Sequence, residues 1–180
     1  MSLPTGTHVF GPENATLWVR TGRTGAAAKA GHNLLFAVGA WHATLDVGDD
    51  PTQSSLVLEA DATSLRVLEG TGGLQALGDD EKSSIAQTID EEVLKGTPIA
   101  FRSTAVDPAA DGSHLSVRGE LTLAGTTKPL AFDLAVGADG TLSGSVVVKQ
   151  TDWGMTPYST LFGTLKVTDD VTVQLETQSV

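Results

Sequence analysis

Histidine and the carboxylates are the side chains here that could carry acid–base or metal chemistry, because the sequence contains no cysteine. The four histidines are His8, His32, His42 and His114. If His32 and His42 lie on one extended strand, they are about 33 Å apart and cannot bind one metal ion together. No pair of carboxylates is visibly spaced for general acid–base catalysis. The residues therefore predict neither a catalytic residue nor a metal site, and an enzyme would need groups that only the fold brings together.

Two glycine-rich segments look superficially like phosphate loops. Residues 70–75 lack the third glycine of a dinucleotide loop, and no alternating strand–helix pattern surrounds them. Residues 125–128 lack the upstream glycine of a Walker loop and are followed by Pro129 rather than by a helix. A GxSxG nucleophile motif is also absent from the sequence. We therefore expect no nucleotide, no other cofactor and no hydrolase chemistry.

The composition narrows the class of protein further. A net charge of -11 repels nucleic-acid phosphates and anionic membranes, so nucleic acid is not an expected partner. No apolar run approaches the roughly 18 residues of a spanning helix, so stable membrane insertion is not expected. The absence of cysteine excludes disulfides and thiol chemistry. A length of 180 residues fits one domain, predicted over residues 1–180.

The first eleven residues, MSLPTGTHVFG, have neither a basic start nor an apolar stretch. They do not read as a signal peptide, which predicts a cytoplasmic protein, or a periplasmic or secreted one if a signal was removed beforehand. We expect residues 1–5 to be disordered or to derive from an expression vector.

Most of the chain alternates apolar and polar residues with period two, which is typical of half-buried strands. Turn residues such as Gly48 to Pro51, Asp107-Pro108 and Asp139-Gly140 separate the runs. Regular strands with short turns predict a mainly β fold, an antiparallel barrel or sandwich. The alternating runs are centred on Leu17 and Val19, on Leu34, Phe36 and Val38, on Leu56 and Leu58, on Ile99 and Phe101, on Leu115 and Val117, on Leu121 and Leu123, on Leu142, Val146 and Val148, and on Val171, Val173 and Leu175.

One segment breaks the period. Residues 79–95 place Ile85, Ile89 and Val93 four apart, which predicts a single amphipathic helix inserted between strands. Asp79 or Asp80 is expected to cap its start, and Gly96 follows its end. The acidic face is expected to lie in solvent, and the apolar face to cover the core or to act as a lid.

Large side chains spread over many strands leave two interpretations of the interior. An eight-stranded barrel can be filled by its side chains or can hold one small ligand, and periodicity does not separate the two. Small residues, Gly119 and Gly144 among them, leave room inside if they point inward.

Residues 121–134, LTLAGTTKPLAFDL, form a predicted hairpin with Gly125 in its turn and Pro129 at a strand start or a sheet edge. The LTLxGxTKP wording resembles the signature hairpin of the YceI-like, polyisoprenoid-binding family. Four further segments are similar to that family in the same order: residues 11–19, 54–65, 97–104 and 150–163. The resemblance implies an extended, lipocalin-like antiparallel barrel of about eight strands with one inserted helix.

The same resemblance implies a non-enzymatic role: binding, sequestration or transport of a long isoprenoid or similar lipid in an apolar tunnel. The alternative is a stress-response or interaction module with a filled barrel that acts through its acidic surface. Few cations lie near the aromatic turns, and the candidates are Lys149, Lys166 and Arg102. A neutral head group therefore fits better than a pyrophosphate. The sequence leaves open whether the protein forms a homodimer.

The predicted tunnel residues are Leu34, Phe36, Val38, Leu58, Phe101, Phe132 and Val146. The predicted ligand-contacting aromatic residues, most of them at the mouth, are Trp18, Trp41, Trp153, Tyr158 and Phe162.

Overall fold

A curled antiparallel sheet forms the body of the protein, in a computed structural model that describes residues 3–179. The alternating apolar runs of the sequence become its strands, because side chains on a strand point alternately to the two faces. The strands are β1 (Gly6–Phe10), β2 (Ala15–Thr21), β3 (Arg23–Thr24), β4 (His32–Val38), β5 (Trp41–Val47), β6 (Ser55–Ala60), β7 (Leu65–Gly72), β8 (Ile99–Pro108), β9 (His114–Leu123), β10 (Thr126–Val136), β11 (Leu142–Lys149), β12 (Ser159–Thr160), β13 (Leu165–Val167) and β14 (Asp170–Thr177).

Eleven of these strands, within residues 3–179, form one sheet in the order β1-β5-β6-β8-β9-β10-β11-β14-β2-β4-β7. All of its pairings are antiparallel. The predicted mainly β, lipocalin-like architecture is confirmed, whereas the predicted number of about eight strands is too low. The extra strands are short or follow one another through two-residue breaks such as Gly39-Ala40, which the alternation alone does not resolve.

A second, smaller sheet of β12, β13 and β3 lies beside the main one. Its register pairs Lys166 with Thr24 and with Ser159. Isolated 3₁₀ turns occupy Ala28–Ala30, Pro51–Gln53, Ala62–Ser64, Gln150–Trp153 and Leu161–Gly163.

The predicted hairpin consists of β9 and β10. Ala124 and Gly125 join the strands with positive φ angles of 49° and 78°, the backbone that a two-residue hairpin turn requires. In the described chain β10 pairs with β11 only at Ala135 and Val136, although it pairs with β9 from Thr126 to Ala135. Pro129 therefore lies where β10 has one ladder neighbour, as expected for a residue without an amide hydrogen.

The predicted helix spans Asp79–Thr88 as α1 and continues as a π-helical segment, Ile89–Leu94. Neither Asp79 nor Asp80 caps it, which corrects the expectation: Gly78 precedes the first turn, and its amide donates to the Glu81 carboxylate. Both aspartates lie in the first turn, where negative charge suits the helix dipole. Lys95, with a φ of 55°, ends the segment in the left-handed conformation.

A continuous group of buried apolar residues lies on the concave side of the main sheet. It includes Phe10, Leu45, Val117 and Leu142, each at most 4 % exposed. Leu3 also packs into this group, and the expectation for residues 1–5 stays a prediction. The expectation for Met1 and Ser2 lies outside the described residues.

Candidate functional site

The curled sheet encloses a cavity of about 790 Å³. That volume is within the range of about 300–1,000 Å³ typical of sites for small organic ligands. The wall is overwhelmingly apolar, because each strand turns its apolar positions toward it. Strand residues on the wall include Phe10, Leu17, Val19, Leu34, Phe36, Val38, Leu45, Leu56, Leu58, Phe101, Leu121, Leu130, Phe132, Leu134, Leu142, Val146, Val148, Val171, Val173 and Leu175.

The wall of the cavity includes both buried and exposed residues. Phe10, Leu45 and Leu142 lie on the wall and are almost completely buried. At the end that the smaller sheet occupies, which we call the exposed end, the wall includes Thr160 and Lys166, both exposed. A ligand would therefore enter at the end occupied by the smaller sheet and leave its tail among the aliphatic residues.

Helix α1 and the π-helical segment form one side of the cavity. Ile85, Ile89 and Val93 lie on the wall, as the four-residue spacing predicted, together with Leu94. The helix packs beside the edge strand β7, where Lys82 Nζ donates to the Leu68 carbonyl at 3.3 Å. The described edge strands β1 and β7 of the main sheet do not pair with each other. This side of the cavity wall is thus formed by a helix rather than by a strand.

Eight of the twelve sequence-predicted site residues lie on the wall of this cavity: Leu34, Phe36, Val38, Leu58, Phe101, Phe132, Val146 and Tyr158. The rings of Phe101 and Phe132 contact each other with centroids 5.2 Å apart. Contact of these residues with a ligand stays a prediction.

The other four predicted residues, Trp18, Trp41, Trp153 and Phe162, do not line the cavity, and their contact with a ligand also stays a prediction. Trp18 alternates with the wall residues Leu17 and Val19 and so faces the opposite side of β2. Trp41 and Trp153 are buried, and the Trp153 indole donates to the Leu121 carbonyl at 2.9 Å. Phe162 is fully exposed.

Polar groups on the wall gather toward the exposed end. Arg23 donates to the Gly31 carbonyl, and His32 Nε2 lies 2.7 Å from the Gln75 carbonyl oxygen. The Thr21 hydroxyl is buried and has no hydrogen-bond partner among residues 3–179, so it is available to a polar ligand atom. The charged wall residues are Arg23, Lys166, Asp61, Asp80 and Glu81, with no surplus of positive charge.

The three cations expected near a head group are separated by the fold. Lys166 lies on the wall, whereas Lys149 and Arg102 are exposed and do not. Arg102 stands opposite Glu120 across the β8–β9 ladder, on the outer face.

The histidines lie apart from one another, but not for the reason that the sequence suggested. His32 is on β4 and His42 on β5, because Gly39 and Ala40 turn the chain between the two strands. His42 Nε2 lies 3.6 Å from a Glu59 carboxylate oxygen in an exposed pair. Within the described part of the chain, no three His, Asp or Glu residues are grouped to hold a metal ion.

Asp61, at the wall, accepts hydrogen bonds from the Thr63 hydroxyl at 2.8 Å and the Thr63 amide at 2.9 Å. These bonds favour the carboxylate and lower the pKa of Asp61 below its ordinary value of 3.8. Similar bonds to a neighbouring hydroxyl and amide lower the pKa values of Asp50, Asp111, Asp139 and Asp169. These aspartates serve as turn anchors rather than as acids or bases.

Sequence reasoning missed several wall residues. Leu17, Val19 and Leu142 share the apolar parity of the predicted ones, so the same signal could have found them. Arg23, Gln150 and Lys166 carry no such signal, since they reach the cavity from short segments without periodicity.

An antiparallel sheet curled around an apolar cavity, with one helix along its side, defines a lipocalin-like protein. The model of the YceI-like domain matches residues 20–179, and the chain belongs to the YceI-like family. No curated protein sequence matches the chain significantly.

Three solved structures share this fold. The chain is similar to BcnA of Burkholderia cenocepacia with a TM-score of 0.64 and 17% identity, over 90% of this chain and 94% of that one. It is similar to the Campylobacter jejuni YceI protein with a TM-score of 0.54 and 18% identity, over 78% and 81%. It is also similar to a polyisoprenoid-binding domain from Saccharophagus degradans implicated in plant cell wall breakdown, with a TM-score of 0.57 and 8% identity, over 98% and 100%.

None of the helices in residues 3–179 is long and apolar enough to cross a membrane.

Proposed function

We propose that this protein binds a long-chain isoprenoid or a similar amphiphilic lipid in its cavity and sequesters or transports it, with the cytoplasm as the proposed compartment. The observation that carries the proposal is the apolar cavity of about 790 Å³ inside the sheet. Burial of each CH₂ group of a ligand contributes about 0.8 kcal/mol before ordering costs. A branched polyprenyl tail suits a wall of leucine, valine and phenylalanine, and no covalent step is needed.

A neutral head group, such as a quinone or a prenol, fits the exposed end better than a pyrophosphate. Two cations on the wall, Arg23 and Lys166, are balanced by the carboxylates Asp80 and Glu81, while Asp61 lies toward the other end of β4 and β7. A pyrophosphate in this place would meet repulsion as well as attraction. The buried Thr21 hydroxyl offers a neutral head group a hydrogen bond.

The cavity also argues against the filled-barrel alternative, in which the acidic surface alone would act. A filled interior leaves no space for a lipid, whereas the wall residues Phe132 and Val146 are only half-buried although they face inward.

The test is organic extraction and native mass spectrometry of the purified protein, followed by titration of the delipidated protein with a polyprenol and with the matching prenyl pyrophosphate. We expect one lipid per chain and tighter binding of the polyprenol. Leu130→Glu places a carboxylate on the wall and should abolish binding, whereas Ala131→Glu, its exposed neighbour on β10, should not. Circular dichroism checks that both variants fold. Protein that never carries or takes up a lipid contradicts the proposal.

A further inference from the structure

Three connecting segments come together at the exposed end of the cavity. The register pairs Lys149 with Asp170, Arg20 with Thr172, and His32 with Gly72, so five neighbouring strands (β11, β14, β2, β4 and β7) end at the same level. The connections that leave them contain residues 22–31, 73–78 and 153–168, which we call the rim. Hydrogen bonds hold the rim together, from the Ala27 amide to the Thr164 carbonyl at 2.8 Å and from the Thr168 amide to the Gly22 carbonyl at 3.1 Å.

The rim exposes large apolar side chains. Of the seven large hydrophobic residues exposed among residues 3–179, four belong to it: Leu74, Tyr158, Leu161 and Phe162. Leu74 is 81% exposed and Phe162 is as exposed as in an extended chain. Single exposed apolar residues are ordinary, but several at the mouth of one cavity indicate an interaction surface.

The tip of the rim holds its apolar side chains outward through an unusual backbone. Leu161 and Phe162 have positive φ angles of 52° and 56°, a conformation that side-chain-bearing residues seldom adopt. The Thr164 hydroxyl and amide both donate to the Leu161 carbonyl and fix this turn. Backbone strain of this kind is concentrated at functional segments.

The rim also differs from the rest of the protein in charge. It carries three cations, Arg23, Lys29 and Lys166, and no carboxylate. All 22 acidic residues and the other eight cations lie elsewhere in the chain. The carboxylates nearest along the sequence, Asp79, Asp152 and Asp169, lie just outside its three segments, and Asp169 is engaged by Thr151. The three rim segments themselves thus carry only positive charge, and the carboxylates Asp80 and Glu81 follow directly at the start of α1, where Glu81 accepts from the Gly78 amide.

We propose that the rim docks on an electrically neutral lipid bilayer, with Leu161 and Phe162 inserted at its surface and the cavity mouth facing it. Acyl chains can bury these side chains without a matching protein surface. A neutral surface fits because the net charge of -11 opposes approach to an anionic one. A second copy of this chain fits less well, since two rims face to face would bring six cations together. The inference rests on the proposed function in one respect: docking turns the cavity mouth toward the membrane, which is the source of the lipid that the cavity binds.

The test is flotation of the purified protein with phosphatidylcholine vesicles at physiological salt. We expect the wild type to float and the double variant Leu161→Ser/Phe162→Ser to partition at least about tenfold more weakly, because it has lost two buried apolar side chains. Val9→Ser is the matched control, because Val9 is 55% exposed on β1 and lies outside the rim. This substitution should leave flotation unchanged.

The docking proposal is overturned by wild-type protein that does not float, by flotation that the double variant retains, or by binding that requires phosphatidylglycerol and disappears in high salt. A dimer in light scattering that the double variant dissolves, without vesicle binding, would instead assign the rim to self-association and also overturn it. Leu161 and Phe162 do not line the cavity, so native mass spectrometry should find lipid in the double variant as well as in the wild type. In the wild type, bound lipid without flotation refutes docking alone, and flotation without bound lipid refutes the carrier role alone.

Discussion

The substitution Val146→Trp tests whether the interior of the sheet is an open cavity or a filled core. Val146 lies on β11, half-buried, and points into the cavity opposite the neighbouring Val173. A tryptophan side chain buries about 150–250 Å². In a cavity of about 790 Å³ the indole meets space rather than atoms. Its added apolar burial, at roughly 25 cal/mol per Å², offsets the cost of ordering it, so we expect a change in the free energy of unfolding within about 1 kcal/mol.

Two valines serve as matched controls. Val117 on β9 is 1% exposed and does not line the cavity, so Val117→Trp forces the indole into packed atoms. Overpacking by a few methylenes already costs about 1–3 kcal/mol, and we expect at least about 3 kcal/mol for the indole. Val147 is adjacent to Val146 on the outer face and exposed, so Val147→Trp should alter neither stability nor lipid content.

The assay is thermal unfolding of the three delipidated variants, together with native mass spectrometry after expression. For a domain of this size about 1 kcal/mol shifts Tm by roughly 2–4 °C. Val146→Trp should therefore lie within about 4 °C of the wild type, while Val117→Trp falls by about 6 °C or more. Val146→Trp should also carry less lipid, because the indole occupies ligand space. A Tm loss for Val146→Trp equal to that for Val117→Trp would refute the open cavity.

Two tryptophans and one turn give further predictions. Trp153→Phe leaves the buried Leu121 carbonyl without its donor and should lower the free energy of unfolding by about 1–3 kcal/mol in urea titrations. Trp41→Phe should lower the free energy of unfolding less than Trp153→Phe, because the buried Trp41 indole nitrogen has no hydrogen-bond partner among the described residues. An equal loss of stability in the two variants would contradict this explanation. Hydrogen bonds from Thr141 lower the pKa of Asp139, so its carboxylate stabilises the fold above pH 3.8 and this contribution disappears as the pH falls through the lowered value. Asp139→Asn should accordingly lower the urea midpoint at pH 7 but match the wild type in strong acid, and a pH-independent difference would show that charge is not the cause.

Period-two alternation made most of the cavity wall predictable. Leu34, Phe36 and Val38 were expected to point inward because they share one parity on a single strand, and the structure places all three on the wall. The helix followed in the same way from the four-residue spacing of Ile85 and Ile89.

The mouth was only partly predictable, for two physical reasons. Aromatic type pointed to Tyr158 and Phe162, which lie in the rim, but it also added Trp18 to the ligand-contacting residues, although the parity of Trp18 opposite Leu17 puts it on the outer face. The real rim is built on β3, β12 and β13, strands of two or three residues that are too short for any alternation to be recognised. Its hydrogen bonds join Ala27 to Thr164, which are more than a hundred residues apart, and the local sequence contains no signal that predicts such a pairing.

The short junction between β10 and β11 has a consequence for the girth of ligand that the protein can accept. Within residues 3–179 these strands share only the pairs Ala135–Ser143 and Val136–Leu142, so the remainder of β10 is free of the ladder on that side. Moving the far ends of the two strands apart would break no ladder hydrogen bond, but it would pull the turn Gln150–Trp153 away from β10 and disrupt the hydrogen bond from the Trp153 indole to the Leu121 carbonyl. Side-chain contacts at this seam, rather than the backbone ladder, therefore set the girth of ligand that the cavity accepts.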